Sequence, residues 1–509
     1  MGNIKIGWGE ETFVFNKPVS LTGQFAERIS EYTEKPLTAT ALAIEANGEQ
    51  LVMCALDLVG ASIHLLSVVR DKLKDNKLGL DVSKIVLSAI HTHTGPTYTG
   101  GTARAFNQGL TSTFRDLIES QLPEGKRYVE KEDVSSNDAI MNEDELLSEI
   151  SEKTAKAILK AWESRKAGGY ANEFGRAAVG MCRRVCRRAC YSDGSSQMWG
   201  DTNRAVFTQL EGGNDSGIEL LYFFDESKKL TGVAVNLACP AQCVQHRLFI
   251  SPDFWGEVKM LLRKKYGDDI FMLPLCSPAG DQCPVDLIRW VEPESDVNDP
   301  NLKRYNPPYR KADPSMFDLS GMRKAGKRIS NEIFDAYDEA LSEIKYDSEL
   351  YHEVKTVRLP LRRATLAEEA EAKRRIAEYL DKKTGDTVDY NDAANLQVHI
   401  GILRRMELQE KVDTFPIEMH VVRLGNIAIA TNPFELFLDY GNQIKARSAA
   451  EQTFLVQLAN GYEGYLPTEK AEKGGHYSAF ISSGGAGHEG GDILVRETLS
   501  EIKRLFTLK

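Results

Sequence analysis

Two histidines one residue apart, His91 and His93 in SAIHTHTGP, are the most chemically suggestive pair among the nine histidines of this 509-residue chain. Neutral imidazole is a common zinc ligand, and at a strand end one ring can coordinate while the other donates to a substrate. Taken alone, the pair could equally be a satisfied, hydrogen-bonded polar couple. Cys182, Cys186 and Cys190 form the one dense thiol group. Zinc-binding cysteines usually come as CxxC-type pairs, so AAVGMCRRVCRRACY reads as a strand with its thiols on one face.

The elements that must position these residues follow from hydrophobic pattern. KIGWGE, TATALAIEA and QLVMCALDLVG read as strands, SIHLLSVVRDKLKDN as a helix, and KIVLSAI as a strand ending at His91. Strand, helix, strand implies a parallel βαβ element, and ligands in open α/β sheets gather at the carboxyl ends of strands. The order repeats later: strands at GIELLYFFD and LTGVAVNLAC, a helix at FWGEVKMLLRKKYG, then DIFMLPLC entering the loop SPAGDQCP. Helical patterns occupy 142–165 and three stretches between 322 and 411, strands at FPIEMHVVRLGNIAIATN precede Glu435, and SEIKRLFTLK closes the chain as a helix. Residues 289–316, rich in Pro, Asn and charge, are the best candidate for a loop or lid. No internal repeat is visible. One interwoven α/β unit over 1–509 is expected, with a possible smaller half from about 350.

HTHTGP resembles the HTHSGP motif of the neutral, non-lysosomal ceramidases, and further matches follow in order. DLVG at Asp57–Gly60 is similar to an early segment of that family, SPDFWG at Ser251–Gly256 to its SADFPG-like stretch, GDQCP at Gly280–Pro284 to its GDVSP loop, and PFE at Pro433–Glu435 to its PGE. NGYEGY and the later HY reproduce a tyrosine pair, Tyr465 and Tyr477, at the family's spacing. The resemblance implies a large mixed-sheet catalytic domain without the family's C-terminal β-sandwich, and a zinc-dependent hydrolase of an N-acyl amide bond. It makes His91, Glu435 and Tyr465 zinc ligands, and His93 and Tyr477 contacts to the reacting carbonyl. Arg183 becomes a cation for substrate or oxyanion, with Arg184 close enough in register to be confused with it.

Two departures stand out. The family's second zinc histidine lies in a segment like NFACHP, whereas this chain reads NLACPAQCVQH with Pro240 in its place. His246 is the favoured substitute, and Cys239 or Cys243 could serve because thiolate also binds zinc. The second departure is Cys283, which stands where the family carries a serine. It could be a nucleophile if a neighbouring cation lowered its pKa, a wall of the substrate pocket, or packing.

Composition narrows the classes of function. Lys and Arg total 63 against 74 Asp and Glu, a net charge of −11 that works against nucleic acid or anionic lipid as a partner. No apolar run approaches the roughly 20 residues that span a bilayer, and the start lacks a signal-peptide layout, so a cytoplasmic location is expected. Eight dispersed cysteines suggest free thiols. With no place for the lipid-facing sandwich, the expected partner is a small N-acyl substrate more polar than ceramide. Two other readings use the same residues: a catalytically silent small-molecule-binding protein, and a metal-independent hydrolase built on Cys283.

Overall fold

The computed structural model describes residues 2–24, 28–98, 114–129, 139–188, 196–199, 202, 205–288, 290–291, 311–312 and 318–508. Its largest sheet has eight strands in the order Phe271–Cys276, Leu230–Leu237, Gly217–Asp225, Lys166–Arg176, Lys5–Thr12, Thr38–Ala46, Glu49–Leu56, Ile85–Ala89. A second sheet runs Leu350–Pro360, Thr414–Leu424, Ile427–Thr431, Gln452–Val456. The expected βαβ element is present: Glu49–Leu56 and Ile85–Ala89 pair in parallel across the helix Ile63–Leu73. This helix starts at Ser62, whose hydroxyl accepts from the Leu65 amide.

One connectivity recurs three times. An antiparallel hairpin is followed by a helix that crosses over to a strand parallel to the second arm, first with Thr38–Ala46 and Glu49–Leu56, Ile63–Leu73, and Ile85–Ala89. The second copy uses Gly217–Asp225 and Leu230–Leu237, Phe254–Tyr266, and Phe271–Cys276. The third uses Thr414–Leu424 and Ile427–Thr431, Leu438–Arg447, and Gln452–Val456. In each, a further antiparallel strand flanks the first hairpin arm: Lys5–Thr12, Lys166–Arg176 and Leu350–Pro360 respectively. The first two units join through only Lys5↔Ala167 and Ile6↔Lys166, so the eight-stranded sheet is two four-stranded halves hinged at one end.

Strand alternation sorts the side chains. Leu42, Ile44 and Met53 of the first unit, Leu221, Phe223 and Leu273 of the second, and Val422, Ile429 and Phe454 of the third meet in one inner core. Residues on the opposite faces, such as Ala41 and Cys54, Leu220 and Val235, or Met419 and Ala428, lie under each unit's own helices. Strands buried on both faces are what near-continuous runs such as LVMCAL predict. The inner core joins residues before and after 350.

Of the strands in the two main sheets, three lie outside the sequence reading: Lys166–Arg176, Leu350–Pro360 and Gln452–Val456. Of residues 289–316, only the short ladder Trp290–Val291 with Lys311–Ala312 is described, and the rest of the proposed lid lies outside the described residues, as does Cys190. Cys182 and Cys186 are buried in the strands Met181–Cys182 and Arg184–Arg187. All described cysteines are free thiols. Among the described residues, no helix is long and apolar enough to cross a membrane.

Candidate active site

His91, Glu435 and Tyr465 sit in segments that follow the carboxyl ends of parallel-paired strands, and Arg183 follows the antiparallel strand Lys166–Arg176. In HTHTGP the residue types alternate in task. Thr92 and Thr94 donate through their hydroxyls to the Ser251 carbonyl, each at 2.8 Å, anchoring the loop and leaving the histidines to the site. His91 holds φ +65°, a sparsely populated conformation for a non-glycine residue and one that functional loops often retain. Its Nδ1 lies 2.7 Å from the Val59 carbonyl, an acceptor, so Nδ1 is the donor and Nε2 is turned into the site. Nε2 lies 3.3 Å from Glu435 Oε2 and 3.4 Å from His93 Nε2.

The third unit supplies the carboxylate and tyrosines. Glu435–Leu436 pairs in parallel with Tyr465–Leu466, register Glu435↔Tyr465, so the two candidate ligands stand side by side. Tyr462 donates to Glu435 Oε1 at 3.3 Å, and Gly60 makes room for the Tyr462 ring, since a Cβ there would lie 2.8 Å from its Cγ. The Gly60 of DLVG is thus a packing requirement, while Asp57 ties strands together by accepting from both the amide and the hydroxyl of Thr38. Tyr465 and Tyr477 meet edge to face, their hydroxyls 3.5 Å apart.

The adjacent arginines do different work. Arg183 donates to the Tyr465 hydroxyl at 3.1 Å and to the Gly280 carbonyl at 2.8 Å, placing its guanidinium in the site. Arg184, fully buried, makes a bidentate pair with Glu211 and donates to the carbonyls of Tyr477 and Gly475. It holds the segment that presents Tyr477. The register ambiguity is resolved in favour of Arg183 as the residue facing the candidate ligands.

GDQCP is a bracket between the second and third units. A Cβ on Gly280 would lie 2.2 Å from the Glu435 carbonyl oxygen, and Asp281 Oδ1 accepts from the Leu438 amide at the start of Leu438–Arg447. Burial pushes Asp281 up to about 6. Cys283 is buried with Val185, Val285 and Leu287, and its thiol donates to the Val285 carbonyl. Burial pushes it up to about 12, so it is a protonated thiol and not an activated nucleophile.

The loop after Leu230–Leu237, where the sequence departs from the ceramidase pattern, reaches the site through Gln242, whose Nε2 is 2.9 Å from His93 Nε2. Sequence reasoning did not single out Gln242 or Tyr462; neither amide nor phenol has a spacing signature of its own. Among the described residues His246 forms no metal-ready group with His91 and Glu435; the charges of Asp318, Arg28 and Arg247 act on its ring, and burial lowers its pKa to about 4. Asp253 of SPDFWG caps the helix Phe254–Tyr266 and accepts from the Val244 amide at 2.9 Å, tying this loop to the helix start.

Electrostatics mark the same cluster. Burial alone would raise Glu435, but His91, Arg183 and Tyr465 hold it below the ordinary carboxylate range. Burial and Glu435 push the Tyr465 phenol well up. Burial, then the charges of His91, Arg28 and Arg183, hold His93 well below the usual imidazole value.

Whether these groups suit a zinc ion can be read from their lone pairs. With Nδ1 donating to Val59, His91 Nε2 lies 3.3 Å from the Glu435 carboxylate, a gap that either a proton on Nε2 or a metal cation between the two groups satisfies. Zinc bonds of about 2.0–2.1 Å place tetrahedral neighbours about 3.3–3.4 Å apart, so the pair fits one edge of the polyhedron. Among the described residues no three His, Cys, Asp or Glu side chains already form a metal-ready group. The Tyr465 phenol is the further donor beside the pair.

The fold has solved counterparts among ceramidases. The crystal structure of neutral ceramidase from Pseudomonas aeruginosa aligns over 99% of this chain and 74% of that chain, with a TM-score of 0.65 and 16% sequence identity. A ceramidase complexed with C2 aligns over 99% and 75%, with a TM-score of 0.64 and 15% identity. No protein-family model matches the chain, and no curated protein matches it by sequence. The chain has a neutral-ceramidase-like α/β fold, as the ordered motifs implied.

Proposed function

We propose that the protein is a zinc-dependent hydrolase of an N-acyl amide or related carbonyl bond. The observation that carries this reading is the buried pair of ligand-type groups, His91 Nε2 and Glu435 Oε2, beside Tyr465 and Arg183 in a neutral-ceramidase-like fold. His91, Glu435 and Tyr465 would hold the metal. When bound, zinc supplies Lewis acidity and a water acidified to a pKa near ~7. Arg183, kept cationic by Tyr465 and Glu435 against the cost of its burial, stabilises negative charge developing on the carbonyl oxygen. Tyr477, presented by the Arg184 bracket, adds an O–H donor on the same side. Val59 keeps His91 in the tautomer that coordination requires.

The groups around the pair are polar: His93, Gln242, Arg183, Tyr462 and Tyr477. This wall supports a substrate more polar than ceramide, because desolvating such groups against a long acyl chain is costly. A graded panel of N-acyl amines, from short polar acids to long-chain ceramides, tests the reading with and without chelator. Turnover of the short polar members, lost on chelation and restored by zinc, is expected. Rates rising with chain length would make it a plain ceramidase, chelator indifference would return the role to a residue such as Cys283, and binding without turnover would leave a silent binding protein.

A further inference from the structure

We propose that His93 supplies the second imidazole to the metal, so that both histidines of HTHTGP are ligands and none comes from the loop after Leu230–Leu237. The inference rests on the metal-hydrolase reading and names its ligand set.

Pro240 offers no donor side chain, and the charges of Asp318, Arg28 and Arg247 act on His246. Gln242 of this loop reaches the site at His93, and Gln245 also interacts with that ring. His93 Nε2 is 3.4 Å from His91 Nε2, which again matches the edge of a zinc tetrahedron. His91 Nε2 and Glu435 Oε2 stand 3.3 Å apart beside His93 Nε2, so the three donor atoms border one small space.

The ring is built for a small turn. Its Nδ1 is buried and makes no hydrogen bond of ordinary geometry, while Gln242 and His91 meet its Nε2 and Gln245 of the same loop also interacts with the ring. Gly23, at φ +91°, faces the ring where a Cβ would lie 2.3 Å from its Cγ, so the ring occupies room that only glycine leaves. In the structure Nε2 is shared between Gln242 and His91. Turning from the amide toward Glu435 closes the pair into a set of two imidazoles and one carboxylate, with Tyr465 beside it, a ligand set zinc accepts. Gln242 then acts as a positioning residue whose amide holds His93 Nε2 at the rim.

Equilibrium zinc affinity, measured by competition with a chromogenic chelator and checked by metal content and by the absorption of the cobalt(II) form, tests this without recourse to activity. His93→Ala and His93→Gln should each weaken zinc binding about 100-fold, alongside His91→Ala, with unchanged thermal unfolding of the metal-free protein. His246→Ala should stay within about threefold of wild type, since that ring lies outside the set. Wild-type affinity in both His93 variants would overturn the inference while leaving the hydrolase reading intact, as would loss of zinc on His246→Ala alone. Failure of the wild-type protein to bind zinc would overturn both.

Discussion

Glu435 and Cys283 are both buried and are pushed in opposite directions. Burial raises both, yet Glu435 ends below the ordinary carboxylate range because His91, Arg183 and Tyr465 surround it, whereas Cys283 rises to about 12 in an apolar cluster with Val185, Val285 and Leu287. Burial by itself makes a protonated, inert group. Reactivity needs burial with compensating charge, and at Glu435 that charge comes from His91, Arg183 and Tyr465.

The sharpest way to break this contrast is on the charged wall. Glu435→Ala should abolish zinc binding and lower turnover of an N-acyl substrate by at least about 10³-fold, because it removes the acceptor facing His91. Retained metal content and turnover would take Glu435 out of the chemistry. Next comes the arginine pair. Arg183→Met should lower kcat on the order of 10²-fold with zinc still bound. Arg184→Met should instead destabilise the fold by about 3–5 kcal/mol, since it leaves Glu211 buried and unpaired. A drop in melting temperature for Arg183→Met, with activity spared, would reverse these assignments.

A smaller effect is expected in the pH dependence of stability. Asp253 ordinarily titrates near 3.8, and burial raises it to about 6 in the folded chain. An acid raised on folding favours the fold while protonated, so its contribution is full below 3.8 and is lost as pH climbs through 6, an effect of about 2–3 kcal/mol. Chemical denaturation between pH 4 and 7 should therefore show a fall that flattens in Asp253→Asn, whatever that variant's absolute stability. An unchanged slope would mean that Asp253 is ionised in the fold. The smallest effect belongs to the thiol wall: Cys283→Ala should keep turnover within about threefold, as a buried protonated thiol takes no part in the reaction.

Much of the site could be read from the chain because its chemistry is carried by local patterns. HTHTGP after an apolar strand placed His91 at a strand end, and the tyrosine spacing brought Tyr465 and Tyr477 together. What escaped depends on contacts between distant segments. Gln242 acquires meaning only where its loop meets His93, and Tyr462 only where it meets Glu435 and Gly60. His246 looked suitable by distance along the chain, but the cap at Asp253 and the partners Asp318, Arg28 and Arg247 set the loop otherwise.

The fold shows the same division. Hairpins were legible where turn chemistry was strong, as at Asn47 and Gly48, both at positive φ between Ala46 and Glu49. Lys166–Arg176 was not, because Gly168, Gly169 and Gly175 dilute its pattern, although a Cβ on Gly168 would crowd the Phe224 carbonyl of the neighbouring strand at 2.6 Å. Leu350–Pro360 hid behind its charged residues, which pair at the surface with helix His488–Thr507 through Lys355 and Glu497. The threefold recurrence of connectivity was invisible because the three units share topology and not residues.

Anomalous diffraction at the zinc edge from crystals soaked in zinc tests the central claim most directly. A single peak about 2.0–2.2 Å from both His91 Nε2 and Glu435 Oε2, with the Tyr465 phenol beside it, is the expected result. A zinc-saturated crystal with no peak between His91 and Glu435, or with its peak on the thiols around Cys283, would contradict it.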